Sequence, residues 1–561
     1  MAVGMHVFGP PGTVNYARSA KIAAASPGEA AVDSAEEQDH MAEHGLRNGA
    51  AAAGAALALL AVLGPVSAGA ASRHTIPGDV TGPGTTDASR FLPGPCPRTP
   101  EPIKALTTAR CGVLEVPESR ARPRGRTIRL AVAVIPATSA KPAQDPVVFM
   151  SGGPGGETFG DIPFLVDSGL NRDRDLIIMA QRGNLYDKPN LACPELDGFY
   201  AKSVGLPSYA PQTEQLMLKA VKRCRDHLTS GGIDLSAYNS TENAADFADL
   251  RTALGIKQWN VYGHSYGSDL ATTYLRLHLQ GIRAVALDSF TPPQSVSLPF
   301  AWAGAKEGLD NLFKACAAEP RCKSRYPNLA RTLNEQVTKL EVKPLTLNVR
   351  PPQGGDPVKV VLDGGALVNV LVAKAIPLVD VPAAIEELGR GHPERFARAR
   401  ASGSVQVVGQ MAYGLTNSVV CSEWVPGHPA SDVLNAGRRA FPDWPDSVLA
   451  QAPQLTFQNQ VCRLWNVPDR TATQRVAPVS SVPTLFLNGT FDMKTGASWA
   501  QKTARTLPRS TTVEVPGIGH WVVPQSPCAQ KVLASFFTRP TAPDTGCVAS
   551  LRWEPFTITP K

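Results

Sequence analysis

The sequence predicts an α/β fold, a mostly parallel sheet with helices on both faces and a mainly helical cap inserted late in the chain. Three observations carry that expectation. Short, nearly continuous apolar runs recur between helical stretches, the pattern of parallel strands buried on both faces. Gly263-His264-Ser265-Tyr266-Gly267 sits between a strand-like and a helix-like stretch, placing a serine on a sharp turn. The interval from Asp288 to Thr484 is too long for one crossover and holds helical patterns of its own.

Length, composition and charge bound the rest. The chain has 561 residues, 43% hydrophobic and 18% charged, an ordinary globular composition. The formal net charge of +7 is modest, and no Lys/Arg block with interleaved aromatics occurs, so nucleic-acid binding has no support. Near the start, Met41 to Asn48 is polar with one basic residue, Arg47. Ala51 to Val66 is apolar, and Ala68-Gly69-Ala70 offers small residues for cleavage. This is the order of an export signal; the apolar run is short and has no basic stop-transfer flank, so no stable membrane anchor is expected. The signal lies at the very N-terminus if translation begins at Met41, with Met1 to His40 an over-called start. Residues 1–70 are therefore read as extension and signal, and 71–95, rich in Gly, Pro and Thr, as a flexible segment.

Ten cysteines follow the signal: Cys96, Cys111, Cys193, Cys224, Cys316, Cys322, Cys421, Cys462, Cys528 and Cys547. An even count in an exported chain favours disulfides. Pairing in sequence order gives short loops, though spacing alone leaves the connectivity open. No C-x-x-C pair is present, and no metal or other cofactor is expected.

The strands read in order as Ile128–Ile135, Val147–Met150, Asp175–Met179, Trp259–Tyr262, Ala284–Asp288, Thr484–Leu487 and Thr511–Val515. Residues 96–290 and 480–561 then form the two parts of a core, and 291–479 the cap. Within the cap, Gly308–Ala317 and Leu329–Leu340 read as helices, and Leu345–Val349 with Val358–Leu362 as a strand pair.

The reactive groups fall at strand ends. Ser265 follows one strand, Asp492 another and His520 the last, and open α/β sheets place their ligands at the C-terminal ends of strands. Chain order Ser, Asp, His is that of the α/β-hydrolase fold. In that arrangement His520 takes the proton of the attacking Ser265, and Asp492 fixes the imidazole tautomer. Ser151-Gly152-Gly153-Pro154-Gly155-Gly156 follows the strand Val147–Met150, and the N–H groups of Gly153 and Tyr266 are the expected oxyanion hole. No Gly-Lys-Ser/Thr follows that glycine loop, which removes a nucleotide-phosphate role.

With these pieces in view, the chain resembles the secreted serine exopeptidases of the proline iminopeptidase and tripeptidyl aminopeptidase group. Gly152-Gly153-Pro154-Gly155, the serine turn, Asp492 and Gly519-His520 carry the resemblance. So do Cys111-Gly112-Val113-Leu114-Glu115-Val116-Pro117, Gln181-Arg182-Gly183, Cys193-Pro194-Glu195 and Pro543-Asp544-Thr545-Gly546-Cys547, over roughly Cys96 to Cys547. The chain departs from the group's pattern at Ala180, Ser151 and Trp521. The resemblance implies an α/β-hydrolase core, a cap, and release of single residues or short peptides from free N-termini of peptide substrates outside the cytoplasm. It also implies an acidic cap residue for the substrate's α-ammonium. Glu423, in Cys421-Ser422-Glu423, is the candidate, and Glu157 beside the glycine loop is its rival. A carboxylesterase or lipase on the same core is the alternative, and a non-catalytic binding protein a distant third. Oligomeric state is not readable from the sequence.

Overall fold

The computed structural model describes residues 89–352, 354–406 and 409–559. The extension, the expected export signal and all but the end of the 71–95 segment lie outside these residues.

The strands are β1 (Arg90–Gly94), β2 (Arg110–Pro117), β3 (Thr127–Ile135), β4 (Val147–Met150), β5 (Leu176–Met179), β6 (Trp259–His264), β7 (Ile282–Asp288), β8 (Leu345–Val349), β9 (Val358–Leu362), β10 (Thr484–Gly489) and β11 (Ser510–Val515). Nine form one sheet in the order β1-β2-β3-β5-β4-β6-β7-β10-β11, while β8 and β9 make a separate hairpin. From β5 through β11 all neighbours in that sheet are parallel, and β1, β2 and β3 extend it antiparallel at one edge. This is the α/β-hydrolase architecture. The expected flexible segment ends instead in β1, whose residues pair with β2 from Arg90 opposite Glu115 to Gly94 opposite Cys111. Gly/Pro-rich composition hid it, because an edge strand gains its order from its neighbour.

The strands bury alternate residues on two faces, as the period of two requires. Trp259, Val261, Val285, Leu287 and Phe486 pack in one apolar cluster beneath the helices Ser240–Ala253 and Tyr266–Leu277. Tyr262, Ala284, Ala286, Leu485 and Leu487 pack in the other, against the helix Pro527–Thr538. Each fully buried large apolar side chain contributes about 1.5–3 kcal/mol relative to exposure, which accounts for the near-continuous apolar runs.

The strand order reverses direction at β4. The chain passes from β4 to β5 on one side and then to β6 on the other. Crevices for ligands open at the carboxyl ends of strands flanking such a switch point.

Residues between β7 and β10 do not form one separate layer. The helices Phe300–Ala318, Leu329–Val342, Gly364–Val372 and Val381–Gly389 share a core of their own. Ala412, Tyr413, Leu415, Val419, Cys421, Phe457, Val461 and Trp465 instead join the cluster on the sheet. Within the block expected over 291–479, the stretches around 412–421 and 457–465 complete the sheet's own core, while Val433, Phe441, Trp444 and Leu449 between them stay with the inserted helices.

The cysteines pair in sequence order: Cys96–Cys111, Cys193–Cys224, Cys316–Cys322, Cys421–Cys462 and Cys528–Cys547. Cys421–Cys462 spans 41 residues and ties the 412–425 stretch to the helix Gln458–Trp465. Replacing both cysteines by serine should cost about 2–4 kcal/mol through the larger entropy of the unfolded chain. Denaturant unfolding against the wild type measures that loss, and equal stability would show that this cross-link constrains nothing.

Candidate active site

Ser265 leaves β6 at φ 55°, ψ −125°, and the helix Tyr266–Leu277 begins at the next residue. That backbone is costly for a residue with a side chain and persists only where its surroundings hold it. Its N–H donates to Asp288 O at 2.9 Å. The helix also approaches β4 so closely that a Cβ on Gly267 would lie 1.9 Å from Met150 O. Small residues around the serine are therefore a packing requirement of the turn.

The loops after β10 and β11 bring Asp492 and His520 together, Nδ1 to Oδ2 at 2.8 Å. The carboxylate is saturated. Oδ2 also accepts from the Thr495 hydroxyl at 2.6 Å, and Oδ1 from the N–H groups of Lys494 at 2.8 Å and Thr495 at 3.0 Å. Complete burial opposes ionisation of Asp492, but the His520 charge and these hydrogen bonds outweigh it and hold the carboxyl well below its usual range. With Nδ1–H donated to Asp492, Nε2 of His520 is left as an acceptor.

The loop carrying His520 is pinned from below. Asp288, at the end of β7, accepts from the N–H groups of Val522 at 2.8 Å and Val523 at 2.9 Å, and from the Tyr262 hydroxyl at 2.9 Å. Trp521 N–H donates to Ser289 Oγ at 2.9 Å. The Trp521 ring stacks on His264, with centroids 4.6 Å apart and planes 19° from parallel.

The glycine loop is equally tied. Ser151 donates its hydroxyl to Asp161 at 2.6 Å, and Gln181 Nε2 donates to Ser151 O at 2.8 Å. Ala412 N–H donates to Gly155 O at 2.8 Å, and Glu157 N–H to Gln410 O at 3.1 Å. A Cβ on Gly152 would fall 3.1 Å from Ser265 Cβ, so this loop lies directly against the serine turn. Ser265, His520, Gly153 and Tyr266 all line one cavity of about 660 Å³, walled further by Trp424 and Trp499. Among the described residues, no group of three His, Cys, Asp or Glu side chains is placed to hold a metal ion.

Glu423 requires a correction. It is fully buried and is not part of the cavity wall. Its oxygens accept from the Ser240 N–H at 2.7 Å and the Ser240 hydroxyl at 2.6 Å, and Ser240 Oγ lies 2.8 Å from the Tyr266 hydroxyl. Glu423 therefore caps the helix Ser240–Ala253 behind Tyr266, and both oxygens are engaged within the protein. Burial pushes its carboxyl up to about 7 despite the bonds from Ser240. The rival does reach the cavity. Glu157 lines it together with Asp161. Glu157 Oε1 is buried without a hydrogen-bond partner among the described residues. Burial raises both carboxyls: Asp161 to about 7, with a further push from the Glu157 charge, and Glu157 against the hydrogen bonds from Tyr186 and the Phe159 and Gly160 N–H groups.

Sequence reasoning missed Asp161, Asp288 and Thr495. Asp288 acts on Val522, 234 positions on; Asp161 and Thr495 act on near neighbours, Ser151 and Asp492, but belong to no motif that singles them out. Gln181 stood within the Gln-Arg-Gly stretch; beside it Arg182 is fully buried, forked onto Asp246 at 2.7 and 2.8 Å, and serves the core.

Residues 449–549, which include Asp492 and His520, match the family model described as TAP-like protein. The serine protease Hip1 of Mycobacterium tuberculosis is 25% identical over 491 residues, 81% of this chain and 89% of that protein. Tripeptidyl aminopeptidase of Streptomyces coelicolor is 27% identical over 203 residues, 35% of this chain and 36% of that protein. The crystal structure of proline iminopeptidase from Mycobacterium smegmatis aligns over 76% of this chain and 98% of its own at 16% identity, with a TM-score of 0.36. The sequence matches, with the sheet topology, support a serine peptidase of the α/β-hydrolase type.

The raised Glu423 carboxyl has a consequence for stability. The folded protein keeps a proton there between about 4.5 and 7 that the unfolded chain releases. Its contribution is therefore complete below about 4.5 and is lost as pH rises through about 7. Glu423→Gln should remove this dependence, so that the difference in unfolding midpoint shifts toward the variant from pH 5 to pH 8. A difference independent of pH would refute the shift.

Proposed function

We propose that the chain is an exported serine peptidase that removes single residues or short peptides from free N-termini through an acyl-enzyme on Ser265. The observation that carries the reading is the 2.8 Å Asp492–His520 hydrogen bond, whose His520 lines the same cavity as Ser265 and the glycine loop.

His520 Nε2 accepts the Ser265 hydroxyl proton as Oγ attacks the substrate carbonyl. Asp492 holds the tautomer and stabilises the imidazolium. The N–H groups of Gly153 and Tyr266 take the oxyanion. The imidazolium then protonates the leaving amine, and water, deprotonated by the same imidazole, releases the acyl group. Glu157, with Asp161, is the partner of the substrate's α-ammonium. Among the described residues neither carboxylate forms an ion pair, and both stand in the wall beside the glycine loop. An ammonium supplies the charge these half-buried groups lack. Export accords with five disulfides and with the finding that no helix among the described residues is long and apolar enough to cross a membrane.

Ser265→Ala should abolish labelling by a fluorophosphonate probe, and Asp492→Asn should lower kcat by roughly 10³–10⁴ by admitting the wrong tautomer. Labelling that persists in the alanine variant would exclude Ser265 as nucleophile.

A panel of peptidyl anilides one to four residues long, free or N-acetylated, separates peptidase from esterase. Free-amine substrates should be preferred, and Glu157→Gln should lower their kcat/KM about 10–100-fold, the worth of one charge-assisted hydrogen bond. Cleavage of short acyl esters with no anilide turnover would favour the esterase.

A further inference from the structure

The loop after β10 contributes a positive charge that the proposed chemistry leaves unused. Lys494 lies between Asp492 and Thr495, its own N–H spent on Asp492 Oδ1; the residue lines the cavity, and its charge is felt by His264 in the same wall. Among the described residues, no hydrogen bond holds its ammonium and no carboxylate lies within 4 Å of it. Asp492, the acid whose charge it feels, has no capacity left. His520 and the Thr495 hydroxyl occupy Oδ2, and two backbone N–H groups occupy Oδ1. A second cation, Lys374, approaches the same loops from the inserted region. Its ammonium donates to Gln525, and its chain passes Gly519, beside His520. Burial draws both ammoniums downward, Lys374 to about 8 with a further contribution from the Lys494 charge. A half-buried ammonium at the cavity wall with no carboxylate beside it is open to an acceptor that enters the cavity.

We propose that Lys494 forms a carboxylate subsite, so that the cavity selects short peptides bearing a negative charge as well as a free amine. The proposal rests on reading the cavity as a peptide-binding site. Its walls then match a zwitterion: Glu157 and Asp161 beside the glycine loop, Lys494 beside the acid–base pair. The shared chemistry is a carboxylate, from either the C-terminus of a short peptide or an acidic side chain. A C-terminal carboxylate limits substrates to lengths that the cavity of about 660 Å³ can span, whereas an acidic side chain imposes a residue preference.

The test is calorimetric binding to the Ser265→Ala protein, which needs no turnover. The probes are trialanine, trialanine amide, and the amide with glutamate at each position in turn. At least one carboxylate-bearing peptide should bind about tenfold or more tighter than trialanine amide, as one charge-assisted hydrogen bond implies. Adding Lys494→Gln should bring that ratio to within about twofold, Lys494→Arg should retain a preference, and Lys494→Glu should invert it. Preference for trialanine over its amide assigns the C-terminus, and preference for one glutamate amide assigns a side chain. Equal affinities, or a preference that survives Lys494→Gln, would overturn the subsite. If the glutamine variant does not fold, the acid-over-amide ratio in Ser265→Ala alone, and its loss with added salt, decide. Wild-type turnover of neutral free-amine anilides reports separately on the peptidase reading, so the subsite can fail while that reading stands.

Discussion

A hydrogen bond between a buried carboxylate and an imidazole on separate loops sets the demands that the rest of the fold meets. Asp492 is wholly enclosed, so its charge survives only because His520, Thr495 and two backbone N–H groups satisfy it. Each donor must be held in place from outside the loop. Phe491 and Met493, on either side of the acid, pack into the core of the inserted helices. The helix Phe300–Ala318 presses so closely on the Asp492 backbone that a Cβ on Gly308 would lie 2.7 Å from Asp492 O, and Asn311 donates to Thr490 O at 3.0 Å. The other partner is held by the sheet, through Asp288 and the amides after His520. Insertion and sheet each contribute one side of the pair.

The same division recurs at the glycine loop. β4 delivers it to the switch point, and the turn of Ser265 abuts it there. Its far side is bonded to Gln410 and Ala412, from the part of the insertion that shares the sheet's core. The inserted region is thus built into the site at two places, and its side chains form part of the cavity wall. On the proposed mechanism, substrate choice would fall to that wall, since Ser265 and its partners would serve any acyl transfer.

Buried charge is distributed unevenly around the site. Glu423 and Asp269 lie behind the serine turn, without contact with the cavity, and burial raises both carboxyls. Glu157 and Asp161 face the cavity without a cation, and Lys494 faces it without an acid. Unpaired groups of this kind cost stability in the empty protein. Raised carboxyls and the hydrogen bonds from Ser151 and Tyr186 offset part of that cost at the acidic end.

The convergence of Ser265, Asp492 and His520 was legible in the chain because their signals are local. A glycine-flanked serine between strand and helix, and an acid and a histidine each just past an apolar run, are patterns within a few residues. Parallel pairing then brings all those strand ends to one edge without further instruction. The sequential cysteine pairs follow the same logic of short separation. Other features were not legible. Glu423 read as a substrate anchor from its distance to Cys421, yet Ser240, 183 positions earlier, takes both its oxygens. β1 read as flexible, yet β2 orders it. Asp161, Asp288 and Thr495 carried no motif. Whether a carboxylate faces a cavity or caps a helix depends on which distant backbone arrives beside it. That outcome belongs to packing among elements far apart in the chain, where no spacing rule reaches.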